Sequence, residues 1–421
     1  MNEIAARRWI REFSFGSRMV GRIGAELEWV LVDDGSPGER VNPQRPDLAE
    51  LTMGRLPGGG VVSFEPGGQI EISSQPQSCV EHLVDALILD VGALTDRLSA
   101  AGIRLAEFAL DPREPHRVVD HPRYEALERH YARFGSKGRS LMCNAASIQV
   151  NVDCGDESQS WTGLRRRWRL ANALGPVLVA IFANSPGTGE SVWRSHREMM
   201  RLQTDPLRIF PLAGQAADPY TQWTDRCLDC FVVGVTSEVG EWIPPEEPFT
   251  MRQWLRGSGR RPVHRADLER HLKTVIPPVR PCGHLELRMI DQQKRDDWAV
   301  PILVVSALLD DPDGSDAVAK LLDSRDLTCE DWAFAAMLGM TAVGIRELGF
   351  ACLQITLDVL KRRQLPRSVI HRVASFAERY TYQGLSPADG ASVMEERTSV
   401  LVPAVDLMQI PDDRAECWQQ T

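Results

Sequence analysis

Four short segments of the chain alternate apolar side chains with polar ones, at residues 24–29, 69–73, 147–151 and 284–288. In a β-strand successive side chains point to opposite faces, so each segment would place Leu, Ile and Val on one side and its polar groups on the other. For a single strand, this pattern is also typical of an antiparallel sheet that has one face in water and no binding site. Together, however, the four segments carry several glutamates and no lysine, and clustered carboxylates are stable only around cations. We therefore expect one sheet whose carboxylate-rich face binds Mg²⁺, with Mn²⁺ as an alternative.

Composition excludes several classes of partner. The formal net charge of the 421 residues is −10, which argues against nucleic acid because phosphate backbones require basic patches. The charged N-terminus lacks the apolar core of a signal peptide, and the longest apolar stretch is too short to cross a bilayer. Nine dispersed cysteines fit reduced thiols better than a disulfide framework. We expect a cytoplasmic protein that contacts no membrane and is a monomer or homodimer.

Periodicity divides the chain into a mixed part and a helical part. Helices are predicted over 79–101, 123–132, 163–183 and 266–273, a strand over 104–109, and Pro-rich loops over 205–250. Beyond residue 298 the pattern predicts helices over 299–309, 317–322, 328–347, 350–363 and 368–380. We predict an α+β fold with a single catalytic domain over 1–400, comprising a sheet-containing core over 12–297 and a helical layer over 298–400, followed by a mobile tail over 401–421.

A carboxylate-lined sheet face suits phosphoryl transfer, because Mg²⁺ bridges nucleotide phosphates and neutralises the charge that develops on them. The chain contains no GxxxxGK[ST] sequence, and the glycine-rich stretch 54–60 lacks the Lys-Ser/Thr ending. A P-loop enzyme is therefore excluded. Nucleotide binding must then depend mainly on metal ions and arginines.

Six motifs resemble, in the same order, those of the plant-type glutamate-cysteine ligases. SFEPGGQIEIS at 63–73 is similar to the family signature [SL]xEPGGQxELS. Further matches are GAELE at 24–28, IQVNVD at 148–153, FANSP at 182–186, HLKTVIPPVR at 271–280 and HLELR at 284–288. LPGGG at 56–60 and PVRP at 278–281 look most like the actinobacterial branch that makes γ-glutamylcysteine for ergothioneine. The resemblance covers residues 20–295, with weaker support through the helical end.

The resemblance implies a glutamine-synthetase-like fold, in which a curved antiparallel sheet forms an active-site funnel with helices outside. ATP and two or three Mg²⁺ ions would meet the substrates there. ATP would phosphorylate the γ-carboxylate of L-glutamate, and an amino group would then attack the acyl phosphate to give a γ-glutamyl amide. The metal ligands implied by position in the family are Glu26, Glu28, Glu65, Glu71, Gln149 and Glu286.

Four further residues are expected to contact substrate. Arg288 would contact the transferring phosphoryl group, a role suited to a planar fork of donors. Arg197 matches the arginine that family members direct at the α-carboxylate of glutamate. Asn151 and Arg208 are predicted to bind substrate beside it.

Several of these residues also have a simpler interpretation. Arg197 could be a residue on the surface of a helix, and Glu65 could cap a loop. Asn151 could support a metal ligand without touching substrate. His271 and His284 are interpreted as hydrogen-bonded structural histidines and not as catalysts.

The chain departs from the family motifs at Asn144, Arg201, Cys230 and Lys273, and we expect these positions to lie where the acceptor amine binds. Cysteine is the favoured acceptor, with another small amino acid or amine as the alternative. A phosphotransferase acting on a guanidino or carboxylate substrate is a competing interpretation, as is a non-catalytic metal-binding protein.

Overall fold

The computed structural model describes residues 1–16, 20–187, 193–212, 218–236, 242–259, 261–323, 325 and 327–390. The predicted tail over 401–421 lies outside these residues. The strands are β1 Ile23–Trp29, β2 Leu31–Asp33, β3 Val61–Phe64, β4 Ile70–Ser73, β5 Ile103–Leu105, β6 Ser147–Asp153, β7 Val235–Thr236, β8 Trp242–Ile243, β9 Val279–Pro281 and β10 His284–Asp291. The α-helices are α1 Glu3–Phe15, α2 Pro46–Ala49, α3 Val80–Ala100, α4 Pro122–Tyr131, α5 Lys137–Asn144, α6 Leu164–Phe182, α7 His196–Leu202, α8 Pro206–Ile209, α9 Pro219–Asp229, α10 Met251–Gln253, α11 Arg265–Leu272, α12 Ala299–Leu309, α13 Pro312–Asp323, α14 Cys329–Leu338, α15 Ile345–Arg362 and α16 Arg367–Arg379.

The four alternating segments are adjacent strands of one antiparallel sheet. Its order is β3-β4-β1-β6-β10-β9, so β4, β1, β6 and β10 occupy the centre. This confirms both the predicted strands and their association. β10 contains a register shift between Leu287 and Ile290, and such a bulge changes the direction of the side chains that follow.

One face of the sheet forms the core. Leu27, Ile72, Val150 and Leu285 are fully buried on it, and helices α3, α6 and α12 pack against β1, β10 and β6 respectively. The same period of two that buries these residues turns the glutamates to the opposite face. The α+β prediction is confirmed, with α12 to α16 following the sheet in the chain.

Helices α1, α5 and α7 were not predicted, and the strand predicted over 104–109 is shorter, at Ile103–Leu105. Two further differences have a clear physical reason. The stretch 205–250, expected to be loops, contains α9, whose first turn accommodates Pro219 because that position needs no N–H donor. Asp218 caps this helix, its Oδ2 accepting from Thr221 N at 3.0 Å. The helix expected over 328–347 ends at Leu338, because Gly339 and Gly344 adopt positive φ angles of 53° and 86°.

Within the described ranges, no single helix is long and apolar enough to cross a membrane. Helices α14 and α15 together are long and apolar enough, but the chain bends by 73° between them.

Candidate active site

The polar face of the sheet and three helices enclose a cavity of about 300 Å³. Helices α4, α5 and α7 form its other wall. The charged residues that line it are Glu26, Glu28, Glu65, Glu71, Arg123, Arg197, Arg201, Arg280 and Arg288. The carboxylate-rich face that the alternating strands predicted therefore meets arginines from the helices in one cavity.

The register of the sheet brings the glutamates together. Glu28 on β1 is the direct partner of Glu71 on β4, and Glu26 is the partner of Gln149 on β6. Glu286 on β10 is the partner of Asn151. Directly opposed like charges destabilise a sheet, so this arrangement needs a compensating cation.

Glu65 reaches the same cavity from the β3–β4 turn. Gly67 allows the turn to approach α5, since a Cβ at this position would lie 1.8 Å from the Cys143 carbonyl oxygen. Gln69 fixes the turn by accepting from Gly67 N at 3.0 Å and donating to the Ala145 carbonyl at 2.7 Å. The glycines and the glutamine of the EPGGQ sequence therefore place Glu65 beside the strand glutamates.

Burial and mutual repulsion raise the pKa of three of these carboxyls. Burial and the charge of Glu286 raise the pKa of Glu26 to about 7. Burial and the charge of Glu28 likewise raise the pKa of Glu65 to about 7. The pKa of Glu71 is well above its usual range because of burial and the nearby Glu65. These three groups would be fully ionised at neutral pH only with a cation beside them.

Glu286 has the opposite environment. Burial acts to raise its pKa, but the charges of Arg280 and Arg288 lower it to about 2. One carboxylate oxygen accepts from Arg280 Nη2 at 2.9 Å and the other from Arg288 Nη1 at 2.7 Å. Arg288 also donates to Gln149 Oε1, and Gln149 Nε2 donates to Glu28 Oε1 at 2.6 Å. A continuous hydrogen-bonded row therefore fixes Arg288 at the edge of the glutamate cluster.

Arg197 lies in the cavity wall and is only 2 % exposed. Its Nε donates to Asp291 Oδ1 at 2.6 Å. Asp291 Oδ2 in turn accepts from Asn184 N at 2.8 Å and Ser185 Oγ at 2.7 Å. The FANSP motif and the end of β10 thus hold one arginine in place, which contradicts the alternative of a surface helix residue.

The structure does not bring Arg208 to the cavity, so its predicted contact with substrate is corrected. Arg208 is fully buried elsewhere. Its Nε donates to Asp205 Oδ2 at 3.0 Å, and its other nitrogens donate to Thr274 Oγ1 and the Phe231 carbonyl. All three guanidinium nitrogens are engaged in holding α8 to its neighbours.

Asn151 and the two histidines occupy supporting positions. Asn151 Nδ2 donates to Glu26 Oε1 at 3.3 Å, and Asn151 Oδ1 is buried without a described partner. His271 Nε2 lies 2.7 Å from the Cys227 carbonyl oxygen, and burial lowers the pKa of His271 to about 3. His284 Nε2 is 3.3 Å from Cys282 Sγ.

Among the four departures from the family motifs, only Arg201 lines the cavity. Asn144 bonds to the Asp111 and Arg113 carbonyls, Cys230 Sγ contacts the Leu207 carbonyl at 3.0 Å, and Lys273 is exposed. Three of the four positions therefore lie outside this cavity, because tertiary packing directs them elsewhere.

The donor set fits a hard divalent cation. Glu26, Glu65 and Glu71 offer carboxylate oxygens on one side of the cavity. Burial and mutual repulsion raise their pKa values, even though nearby arginines act to lower those of Glu26 and Glu65. Mg²⁺ and Mn²⁺ prefer oxygen ligands of this type. The oxygens of Glu286 and Gln149 already accept hydrogen bonds from the arginines described above. To bind the cation as well, they would have to contact it while keeping those hydrogen bonds.

Comparisons with known proteins identify the family of the chain. The family model described as Glutamate-cysteine ligase family 2 (GCS2) matches residues 22–401. The chain is 33 % identical over 403 residues to "Glutamate--cysteine ligase EgtA" of Mycobacterium tuberculosis, covering 92 % of this chain and 89 % of the relative. It is 29 % identical over 325 residues to the chloroplastic glutamate–cysteine ligase of Arabidopsis thaliana, covering 73 % and 56 %.

The fold also matches a solved structure. The glutamate–cysteine ligase of Francisella tularensis in complex with AMP superposes with a TM-score of 0.52. The match covers 91 % of this chain and 89 % of that one, at 12 % sequence identity. At this identity the likeness concerns the fold alone.

Proposed function

The chain belongs to Glutamate-cysteine ligase family 2 and is an ATP-dependent carboxylate-amine ligase, and we propose that it makes γ-glutamylcysteine from L-glutamate, cysteine and ATP. The observation that carries this proposal is the convergence of five strands and one turn on a single cavity, which four glutamates line together with Arg197 and Arg288. The relatives whose names specify this reaction cover most of the chain. We further propose that the protein acts in the cytoplasm, in the pathway that uses γ-glutamylcysteine for ergothioneine.

The first step would join a γ-carboxylate oxygen of glutamate to the γ-phosphorus of ATP, breaking the bond to ADP. Arg197 would hold the α-carboxylate of glutamate, which leaves the γ-carboxylate directed at the sheet. Arg288 would donate to the transferring phosphoryl oxygens, and the row through Glu286 and Gln149 keeps its planar fork oriented for this. A carboxylate is a poor acyl donor, and phosphorylation gives it a leaving group.

The second step would form the amide. The acceptor nitrogen bonds to the acyl carbon, the carbon–oxygen bond to phosphate breaks, and the nitrogen loses a proton that the departing phosphate takes up. Enclosure by α4, α5 and α7 would exclude the water that competes for the acyl phosphate.

Glu26, Glu28, Glu65 and Glu71 would hold Mg²⁺, with Gln149 and Glu286 as further proposed ligands. When bound, Mg²⁺ would neutralise phosphate charge and orient ATP against the glutamate carboxylate. Asn151 would position Glu26 through its amide. Mn²⁺ offers the same preference for oxygen ligands and is a second candidate.

The test is ADP release measured with ATP, Mg²⁺ and glutamate, with and without cysteine. We expect release to depend on both amino acids and to match γ-glutamylcysteine formation mole for mole. ADP release accompanied by a stable phosphorylated product and no amide would identify a phosphotransferase and overturn the proposal. A γ-glutamyl product with another small amino acid, and none with cysteine, would keep the ligase chemistry and change the acceptor.

A further inference from the structure

The cavity is lined by an apolar group of side chains as well as by the glutamate cluster. Leu127, Leu141, Met142 and Ile276 line it and belong to one hydrophobic cluster with Tyr131. Two polar residues, Arg201 and Tyr131, lie among them. A polar group that is buried beside apolar neighbours needs a hydrogen-bond partner.

Arg201 and Tyr131 have unused hydrogen-bonding capacity. Arg201 is 4 % exposed and Tyr131 is 3 % exposed, yet Arg201 Nε and the Tyr131 hydroxyl are buried without a described hydrogen-bond partner. Arg201 Nη2 donates to the Ile276 carbonyl at 2.9 Å, which fixes one edge of the guanidinium. Burial raises the pKa of Tyr131 to about 12, so the phenol keeps its proton and can donate it.

Glu198 balances the charge of Arg201 without satisfying its donors. Arg201 Nε lies 3.2 Å from Glu198 Oε2, but neither carboxylate oxygen of Glu198 has a hydrogen-bond partner among the described residues. Glu198 is fully buried, and burial raises its pKa. The pair therefore makes an arginine tolerable in the interior, beside the cavity that Arg201 lines.

The helix α7 places Arg201 one turn beyond Arg197. Residues at i and i+4 share one helix face with about 5–6 Å between their Cβ atoms. Both arginines line the same cavity, and Arg197 is among the groups that affect the pKa of Arg201. The product of a γ-glutamyl ligase carries two α-carboxylates, one from each amino acid, and two adjacent arginines match that pair.

We propose that Arg201 and the Tyr131 hydroxyl bind the α-carboxylate of the acceptor amino acid, while the apolar side chains around them hold its small side chain. This inference rests on the proposed ligase function and specifies the class of acceptor: an α-amino acid with a small, uncharged side chain, in preference to the corresponding simple amine. Arg201 is thus a specificity-determining residue.

The test compares cysteine with cysteamine, which has the same thiol and amine but lacks the carboxylate. For the wild-type enzyme we expect kcat/KM to favour cysteine by about tenfold to a hundredfold, the range for a hydrogen bond to a charged group. The variant Arg201→Gln combined with Glu198→Gln removes the guanidinium without leaving a buried unpaired carboxylate. In this double variant we expect the preference to fall to about twofold or less, with the KM for glutamate unchanged within about twofold.

Two milder variants keep the test decisive if the double variant does not fold. Tyr131→Phe removes one hydroxyl and keeps the ring, and we expect it to raise the KM for cysteine and leave that for cysteamine unchanged. Arg201→Lys should retain part of the preference, because the charge remains and the fork is lost. The matched control is Arg139→Gln, since Arg139 pairs with Glu128 outside the cavity and should keep the wild-type ratio.

The outcomes separate this inference from the proposed function. A folded double variant that still prefers cysteine, or one that loses affinity for glutamate and not for cysteine, would overturn the acceptor subsite and leave the ligase assignment intact. If the double variant does not fold, a Tyr131→Phe enzyme with an unchanged KM for cysteine would overturn it. A wild-type enzyme that forms no γ-glutamyl product from cysteine, cysteamine or any other small amino acid would overturn both.

Discussion

Glu28 and Glu71 lie directly opposite each other on adjacent antiparallel strands. Glu28 is anchored by Ser147, whose N and Oγ donate to it at 2.8 and 2.9 Å. Glu71 accepts from Ser73 Oγ at 2.7 Å. Neutral donors therefore orient both carboxylates, and neither has an ion-pair partner among the described residues. The glutamates of the sheet therefore form an anionic surface before any cation binds. Their mutual repulsion destabilises the fold, and a bound cation would remove that repulsion.

We expect Glu26→Gln, Glu71→Gln and Glu286→Gln each to reduce turnover by at least about a hundredfold while the chain stays folded. For the first two, loss of a repelled carboxylate should leave the thermal unfolding midpoint of the metal-free protein unchanged or higher. Glu286→Gln should lower that midpoint, since it removes the charge that pairs with Arg280 and Arg288 and one of the two oxygens that accept from them. Steady-state rates and thermal scans check this, with the exposed Glu50→Gln as control. A wild-type rate at limiting Mg²⁺ in any of the three would reject the assignment of that residue.

Mg²⁺ should stabilise the protein more as pH rises. The folded pKa of Glu26 and of Glu65 is about 7, above the ordinary value of 4.5. Their contribution to the stability of the metal-free fold is therefore present below pH 4.5 and lost as pH rises through 7. Mg²⁺ binds the ionised groups and competes with these protons. The increase in unfolding midpoint on adding Mg²⁺ should thus be small near about pH 5.5 and large near about pH 8. An increase that is equal at both values would contradict the raised pKa values.

Arg197→Ala should raise the KM for glutamate by roughly tenfold to a hundredfold, because a charge-assisted hydrogen bond contributes about 1.5 to 3 kcal/mol. The KM for ATP should change much less. Asp291→Asn should reproduce the effect in weaker form, since Asp291 positions Arg197 without facing substrate. Arg288→Ala should mainly lower kcat. Equal effects of Arg197→Ala on both substrates would leave it with a structural role only.

Gly67→Ala should reduce turnover strongly, because its Cβ would lie 1.8 Å from a backbone oxygen of α5 and the turn carrying Glu65 must move. Gly92→Ala in helix α3 is the matched control. Nothing lies within 4 Å of a Cβ at Gly92, so that variant should be fully active and more stable by about 1 kcal/mol. If both variants behave alike, the turn does not position Glu65.

The sequence predicted the parts of the site that depend on local periodicity. Alternation over 24–29 and 147–151 correctly gave strands and their polar face, since the period of two acts within each segment. The sequence did not predict that Asp291 contacts Arg197. Alternation from Glu286 points to residue 290 and not 291, and the bulge in β10 shifts the register between them. The prediction that Arg208 contacts substrate was wrong, because its hydrogen-bond partners include residues that are distant in sequence, Phe231 and Thr274.

The apolar lining of the cavity was also beyond sequence reasoning. Tyr131 and Met142 lie on different helices, and only the packing of α4 against α5 and of α5 against α7 brings them near Arg201. Helix α7 was not predicted, because its seven residues are too few for a periodic signal.

The most direct measurement follows oxygen from glutamate to phosphate. L-Glutamate labelled with ¹⁸O in its γ-carboxylate is supplied with ATP, Mg²⁺ and cysteine, and the inorganic phosphate and the dipeptide are analysed by mass spectrometry. An acyl phosphate intermediate predicts one ¹⁸O atom in each phosphate released, with one γ-glutamylcysteine formed for each ADP. Dipeptide formed together with unlabelled phosphate would contradict the acyl phosphate mechanism, and labelled phosphate with no dipeptide from any amine would contradict the ligase.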